Sequence, residues 1–180
     1  SYTAAYAYNN RMYILGGQTD ANTGGTNTVE MAAINPMGTL GTWTTTGMQT
    51  MPDARHGHSV QVYNDTMYLI GGNSNGTLRD TVYYSKLNPD GTMNGWVQTN
   101  GFSAYGARAS MGGSMTAVWG AYIYLGGGCK AVNASGYCTS VGNEVLLASI
   151  NADGSLAEWN SILNLTNERI GYQLIAWQGG

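Results

Sequence analysis

Charge is scarce in this sequence. Asp, Glu, Lys and Arg together make 9% of its 180 residues, against about 25% in an ordinary soluble domain. Lysine is reduced to Lys86 and Lys130. The polar surface must therefore come from Asn, Thr, Ser, Gln and Gly. Thirteen Tyr against a single Phe add aromatic rings that keep a polar handle. This is the composition of a secreted β-protein rather than a cytosolic one. A net charge of −3 and a pI near 5.1 provide no basic patch, which argues against nucleic acid as a partner. No run of eighteen apolar residues is present, so no segment reads as a membrane-spanning helix. Neither a signal peptide nor an initiator Met is present, which places any export signal outside these residues. Helical periodicity is missing as well: no window holds apolar residues at helical spacing over three turns, and Gly interrupts nearly every stretch.

What is present is repetition. Asn35-Pro36-Met37-Gly38-Thr39-Leu40-Gly41-Thr42-Trp43 returns as Asn88 to Trp96 and again as Asn151 to Trp159. Each copy has Gly at the fourth place and Thr or Ser at the fifth. An aromatic residue opens each unit (Tyr8, Tyr63, Trp119 and Trp177), and eight residues later come Gly16-Gly17, Gly71-Gly72 and Gly127-Gly128. An apolar run leads into each repeated Asn, and Arg55, Arg108 and Arg169 follow the three Trp. A period above fifty residues signals an array of like supersecondary units.

Each piece of the unit reads as a short strand. Ser59–Tyr63 and Thr66–Ile70 are rich in β-branched and aromatic residues, and Asn64-Asp65 separates them. Thr81–Leu87 is a third strand, Asn88-Pro89-Asp90-Gly91 a turn, and Gly95–Thr99 a fourth strand. The paired Gly end the second strand, where a side chain would obstruct close backbone approach. Trp43, Trp96 and Trp159 are expected between neighbouring units. Four hairpin-linked strands per unit make a propeller blade. The pattern Tyr63-x-x-x-x-Tyr68-Leu69-Ile70-Gly71-Gly72, with Trp96 downstream and Arg55 leading in, resembles the kelch family of β-propellers. The Asn-x-Asp-Gly-Thr form is most similar to kelch repeats of bacterial surface and secreted proteins. The resemblance implies an all-β fold with blades over 1–55, 56–108 and 109–169 and the first strand of a further blade over 170–180. Three blades do not close a ring, since propellers use about four to eight. The expected completion is by further blades of a longer chain, or by a second copy.

Several side chains are candidates for chemistry. Cys129 and Cys138 lie in the longest loop, and a disulfide is the simplest account of them. It would imply an oxidising compartment. His56 and His58, two apart on a strand, share a face and could ligate a metal or act as a base. The family resemblance instead makes His58 a packing residue, with Met111 and Tyr172 at about the same place in other units. It also sets Arg55, Arg108 and Arg169 near the mouth of a central channel. There they could bind carboxylates or sugar hydroxyls by forked hydrogen bonds, or each could tie down its own loop. Asp90 and Asp153 stabilise turns, and Met37 in the first copy argues against a repeated metal ligand. Asn64, Asn75, Asn133 and Asn164 each begin a glycosylation sequon.

The expected function is an extracellular or cell-surface binding module, with no catalysis of its own and no cofactor, presenting loops to a carbohydrate or protein ligand. Two alternatives stay open. One is a structural segment of a surface filament or pilus-associated protein. The other is a fragment of a kelch-type enzyme such as a copper oxidase.

Overall fold

The computed structural model describes residues 3–18, 25–110 and 115–176. Trp177, Met111 and the end of the expected further strand lie outside them. Among the described residues the chain is all-β, with one 3-10 turn at Ser103–Tyr105 and no α-helix.

The first sheet holds β1 (Ala4–Tyr8), β2 (Arg11–Leu15) and β3 (Val29–Ala33). The second holds β4 (Ser59–Tyr63), β5 (Thr66–Ile70), β8 (Val82–Lys86) and β9 (Val97–Thr99), with a small hairpin of β6 (Asn73–Ser74) and β7 (Thr77–Leu78) between β5 and β8. The third holds β10 (Thr116–Trp119), β11 (Tyr122–Gly126), β14 (Glu144–Ser149) and β15 (Asn160–Asn164). Its own small hairpin is β12 (Cys129–Val132) and β13 (Cys138–Val141). All pairings are antiparallel and follow chain order within each sheet. The three first strands lie side by side, β4 between β1 and β10.

Local chemistry explains the register. Asn9-Asn10 and Asn64-Asp65 adopt positive φ at both turn positions, the conformation that two-residue hairpins require and that Asn and Asp tolerate. The thrice-repeated phrase folds the same way each time. Gly38, Gly91 and Gly154 donate N–H to the carbonyls of Asn35, Asn88 and Asn151 at 2.8, 2.8 and 3.0 Å. Each Asn also donates its Nδ2 to the hydroxyl of Thr39, Thr92 or Ser155 at 3.0, 2.9 and 3.0 Å.

The structure departs from a four-strand expectation in the first unit. There the fourth strand is a single bridge, Met31 to Thr44. It also shows no strand over the described part of the expected further one: residues 170–176 are irregular.

Two apolar cores lie between successive sheets. Tyr13, Leu15 and Val29 of the first sheet meet Val60, Met67, Leu69 and Met93 of the second. Tyr68, Ile70 and Val82 of the second meet Ile123, Leu125, Leu146 and Leu156 of the third. Alternation along each strand supplies both: Tyr68 and Ile70 face one neighbour, Met67 and Leu69 the other.

Candidate functional site: junctions between sheets

The repeated residues converge on the two junctions. In each of the three units the second Gly donates its N–H to the carbonyl of the Arg that follows that unit. Gly17 reaches Arg55 at 3.0 Å, Gly72 reaches Arg108 at 2.7 Å and Gly128 reaches Arg169 at 2.9 Å. The first Gly is also required. A Cβ on Gly16, Gly71 or Gly127 would stand 2.6, 2.7 or 2.8 Å from the same three carbonyls. The guanidinium then crosses forward. Arg55 Nη1 donates to the Gly71 carbonyl at 2.9 Å, and Arg108 Nη1 to that of Gly127 at 3.0 Å. One residue therefore joins two Gly–Gly corners, by its backbone to one and by its side chain to the next.

Arg55 and Arg108 are fully buried. Their donors are used inside the molecule. Arg55 Nε bonds Asp53 at 2.5 Å, its Nη2 forms an ion pair with the same carboxylate, and its guanidinium lies 5.5 Å from the Tyr83 ring centre. Arg108 also donates to the Tyr105 and Gly106 carbonyls and pairs with Glu144 at 3.4 Å. Burial lowers the pKa of both, against the pull of Asp53 and Glu144. Arg169 differs: its side chain is exposed.

His58 is likewise an interior residue, 2% exposed. Burial first, then the charge of Arg55, pushes its pKa down to about 3, so the ring is neutral. His56 is shifted the same way, again by burial. The described residues include no group of three His, Cys, Asp or Glu placed to hold a metal ion.

Tyrosine and tryptophan complete the junctions, and the tyrosine role was not anticipated from sequence. Tyr13 Oη donates to the Gly91 carbonyl at 3.1 Å, and Tyr68 Oη to that of Gly154 at 2.9 Å. Each spans to the turn of the next sheet, and burial raises both phenol pKa values. The repetition of Tyr three residues before the Gly pair, at Tyr13, Tyr68 and Tyr124, was the available signal. Trp96 Nε1 donates to the Gln49 carbonyl at 3.3 Å and Trp159 Nε1 to that of Asn100 at 2.9 Å. Both partners belong to the preceding unit. Trp43 is half-buried.

What does not repeat lies elsewhere. Cys129 and Cys138 form a disulfide with a Cα separation of 5.7 Å. It closes the β12–β13 hairpin, and Lys130 at its base pairs with Glu144 at 2.7 Å. Tyr137 at the hairpin tip is 72% exposed. Clefts among the described residues accompany these features. One, of about 230 Å³, lies where β1, β4 and β10 meet residues 173–176, with Tyr6, Gln61 and Val118 in its walls. Another, of about 310 Å³, opens between the second and third sheets beside Tyr63, Lys86 and Asn151.

No family model matches this sequence, and no curated protein matches it. Among solved structures the chain is similar to YjhT, with a TM-score of 0.62 at 13% identity. The match covers 91% of this chain and 52% of YjhT. The likeness is one of fold, and the chain spans about half the length of that protein.

Proposed function

We propose that the three sheets are kelch-like blades of a β-propeller, and that the chain serves as an extracellular binding module. The blade reading rests on the junction chemistry. Two successive junctions use the same Arg, Tyr and Trp ties, so the arrangement can be extended in either direction. The outer faces of the first and third sheets each carry one half of a further junction. Gly38 and Leu40 stand open on the first and Arg169 on the third, where Tyr124 is half-buried, and further blades of a longer chain or a second copy would meet them.

The observation that carries the binding function is the contrast between frame and hairpins. The corner ties repeat, whereas the hairpins inserted beside them do not. In the second unit the insert is Asn73–Leu78; in the third it is the longer, disulfide-closed segment from Cys129 to Val141, with Tyr137 exposed at its tip. Loops that vary on a fixed scaffold are where recognition concentrates. Exposed Tyr and Asn suit sugar stacking and hydrogen bonding. A disulfide in a chain so poor in lysine accords with an oxidising, extracellular setting.

A glycan array probed with the chain tests the reading. Retention on a subset of glycans, reduced by Tyr137→Ala, is the expected result. Failure on every glycan and on cell-surface protein extracts would leave the alternative of a spacer in a surface filament.

A further inference from the structure

The two junctions are alike in their ties and unlike at one rim. At the first junction the rim is closed. Tyr8 Oη donates to Asp65 at 3.0 Å, and the Arg11 side chain lies over the Gly91 turn, in the space a Gly91 Cβ would need. At the second junction both closing residues are replaced. Ala121 stands where Asp65 stood, and Thr66 where Arg11 stood. The basic residue has moved across the strand pair: Arg11 faces Ala33, whereas Thr66 faces Lys86. It is the shorter Lys86 that now lies over the turn, its Nζ 2.9 Å from where a Gly154 Cβ would stand. The consequence is the cleft of about 310 Å³, and small-molecule clefts begin at about 300 Å³.

Its walls carry complementary chemistry. Tyr63 offers a half-buried ring, and Ala121 leaves its hydroxyl without the acceptor that Tyr8 has. Asn64 and Asn151 are both exposed; Asn64 offers its whole amide and Asn151 its carbonyl oxygen, its Nδ2 being bonded to Ser155. Lys86 Nζ donates to Thr66 Oγ1 at 2.7 Å and makes no salt bridge among the described residues, its charge being felt only at longer range by Asp153. The other lysine, Lys130, is paired with Glu144.

We propose that this cleft binds a monosaccharide bearing a carboxylate, of the uronic acid class. The carboxylate meets Lys86, the hydroxyls meet Asn64 and Asn151, and the apolar face of the sugar ring lies on Tyr63. Carboxylate to ammonium is a charge-assisted bond, stronger than its neutral counterpart. The proposal rests on the binding-module reading and names one site within it.

Titration of the ¹⁵N-labelled chain with sodium D-glucuronate, beside D-glucose, tests it. Saturable shifts should gather at Thr66, Lys86, Ala121 and Asn151, with glucose binding about tenfold more weakly, as expected for loss of about 1.4 kcal/mol. Lys86→Ala should weaken glucuronate by the same factor. Thr66→Arg and, independently, Ala121→Asp rebuild parts of the first junction's closure and should abolish the shifts. Equal affinity for glucose overturns the carboxylate assignment, and shifts elsewhere, or none, overturn the site. Glycan-array retention unchanged by Thr66→Arg, with no glucuronate shifts, removes the cleft and leaves the module reading standing. No retention and no shifts remove both.

Discussion

At the residue scale, burial decides what each candidate side chain does. Arg55 and Arg108 are ionised groups without solvent, and that is tolerable only because backbone carbonyls and a carboxylate surround each one. Replacing Arg108 by Leu leaves three carbonyls without their donor and removes one of the two cations paired with Glu144, which keeps Lys130. A loss of about 3 kcal/mol in unfolding free energy is expected, measured by urea denaturation. His58 gives a pH dependence. Its pKa falls from 6.5 to about 3 on folding, so between those values the unfolded chain binds the extra proton. Stability is therefore complete above about pH 6.5 and declines as pH falls through that value, by about 2 kcal/mol at pH 5. The turn carboxylates Asp90 and Asp153, lowered by their bonds to Thr92 and Ser155, stay ionised there. His58→Gln should make the profile between pH 6.5 and 5 shallower, leaving the part that His56, lowered in the same direction, contributes; thermal melts across that range would show it.

At the scale of elements, most of the strand pattern was legible. The strands at Ser59–Tyr63 and Thr66–Ile70 appear where alternation and the Asn64-Asp65 turn put them. Gly–Gly marked the second strand ends because the Arg carbonyls leave no space for a Cβ. The fourth strand of the first sheet was less legible: the same Asn-to-Trp phrase precedes it, yet only Thr44 pairs. The junction tyrosines were hidden because their partner is a carbonyl some 80 residues away in sequence, which no local pattern reveals. Tyr68→Phe should cost about 1 kcal/mol, read from the shift in denaturation midpoint, because it removes one buried hydrogen bond and leaves the ring in place. The disulfide acts on one hairpin only. Reduction is expected to remove about 2–3 kcal/mol at most, and hydrogen exchange should accelerate in β12 and β13 while β10, β11 and β14 keep their protection.

At the scale of the whole molecule, repetition separates scaffold from function. The Arg, Tyr, Trp and Gly–Gly positions recur because every junction needs them. The cleft exists because Thr66 and Ala121 interrupt the pattern; the repeated phrase is a turn, and its third copy adds Asn151 to the wall of that cleft. The outer faces carry the same logic outward. Leu40 is 42% exposed and Leu163 71% exposed, whereas Met93 and Leu156, the counterparts of Leu40 at the two junctions, are buried. On the propeller reading these faces seek further blades. Sedimentation velocity should find concentration-dependent association of the chain that Leu40→Glu and Leu163→Glu each reduce.

The most direct test sets one repeated residue against one that does not repeat. Melting temperature and D-glucuronate affinity are measured together for Arg108→Lys and Lys86→Ala. Arg108→Lys should lower the melting temperature by several degrees and leave the affinity within about twofold. Lys86→Ala should leave the melting temperature almost unchanged and weaken binding about tenfold. The reverse pattern, with Arg108 governing affinity and Lys86 governing stability, would contradict the division of labour on which this account rests.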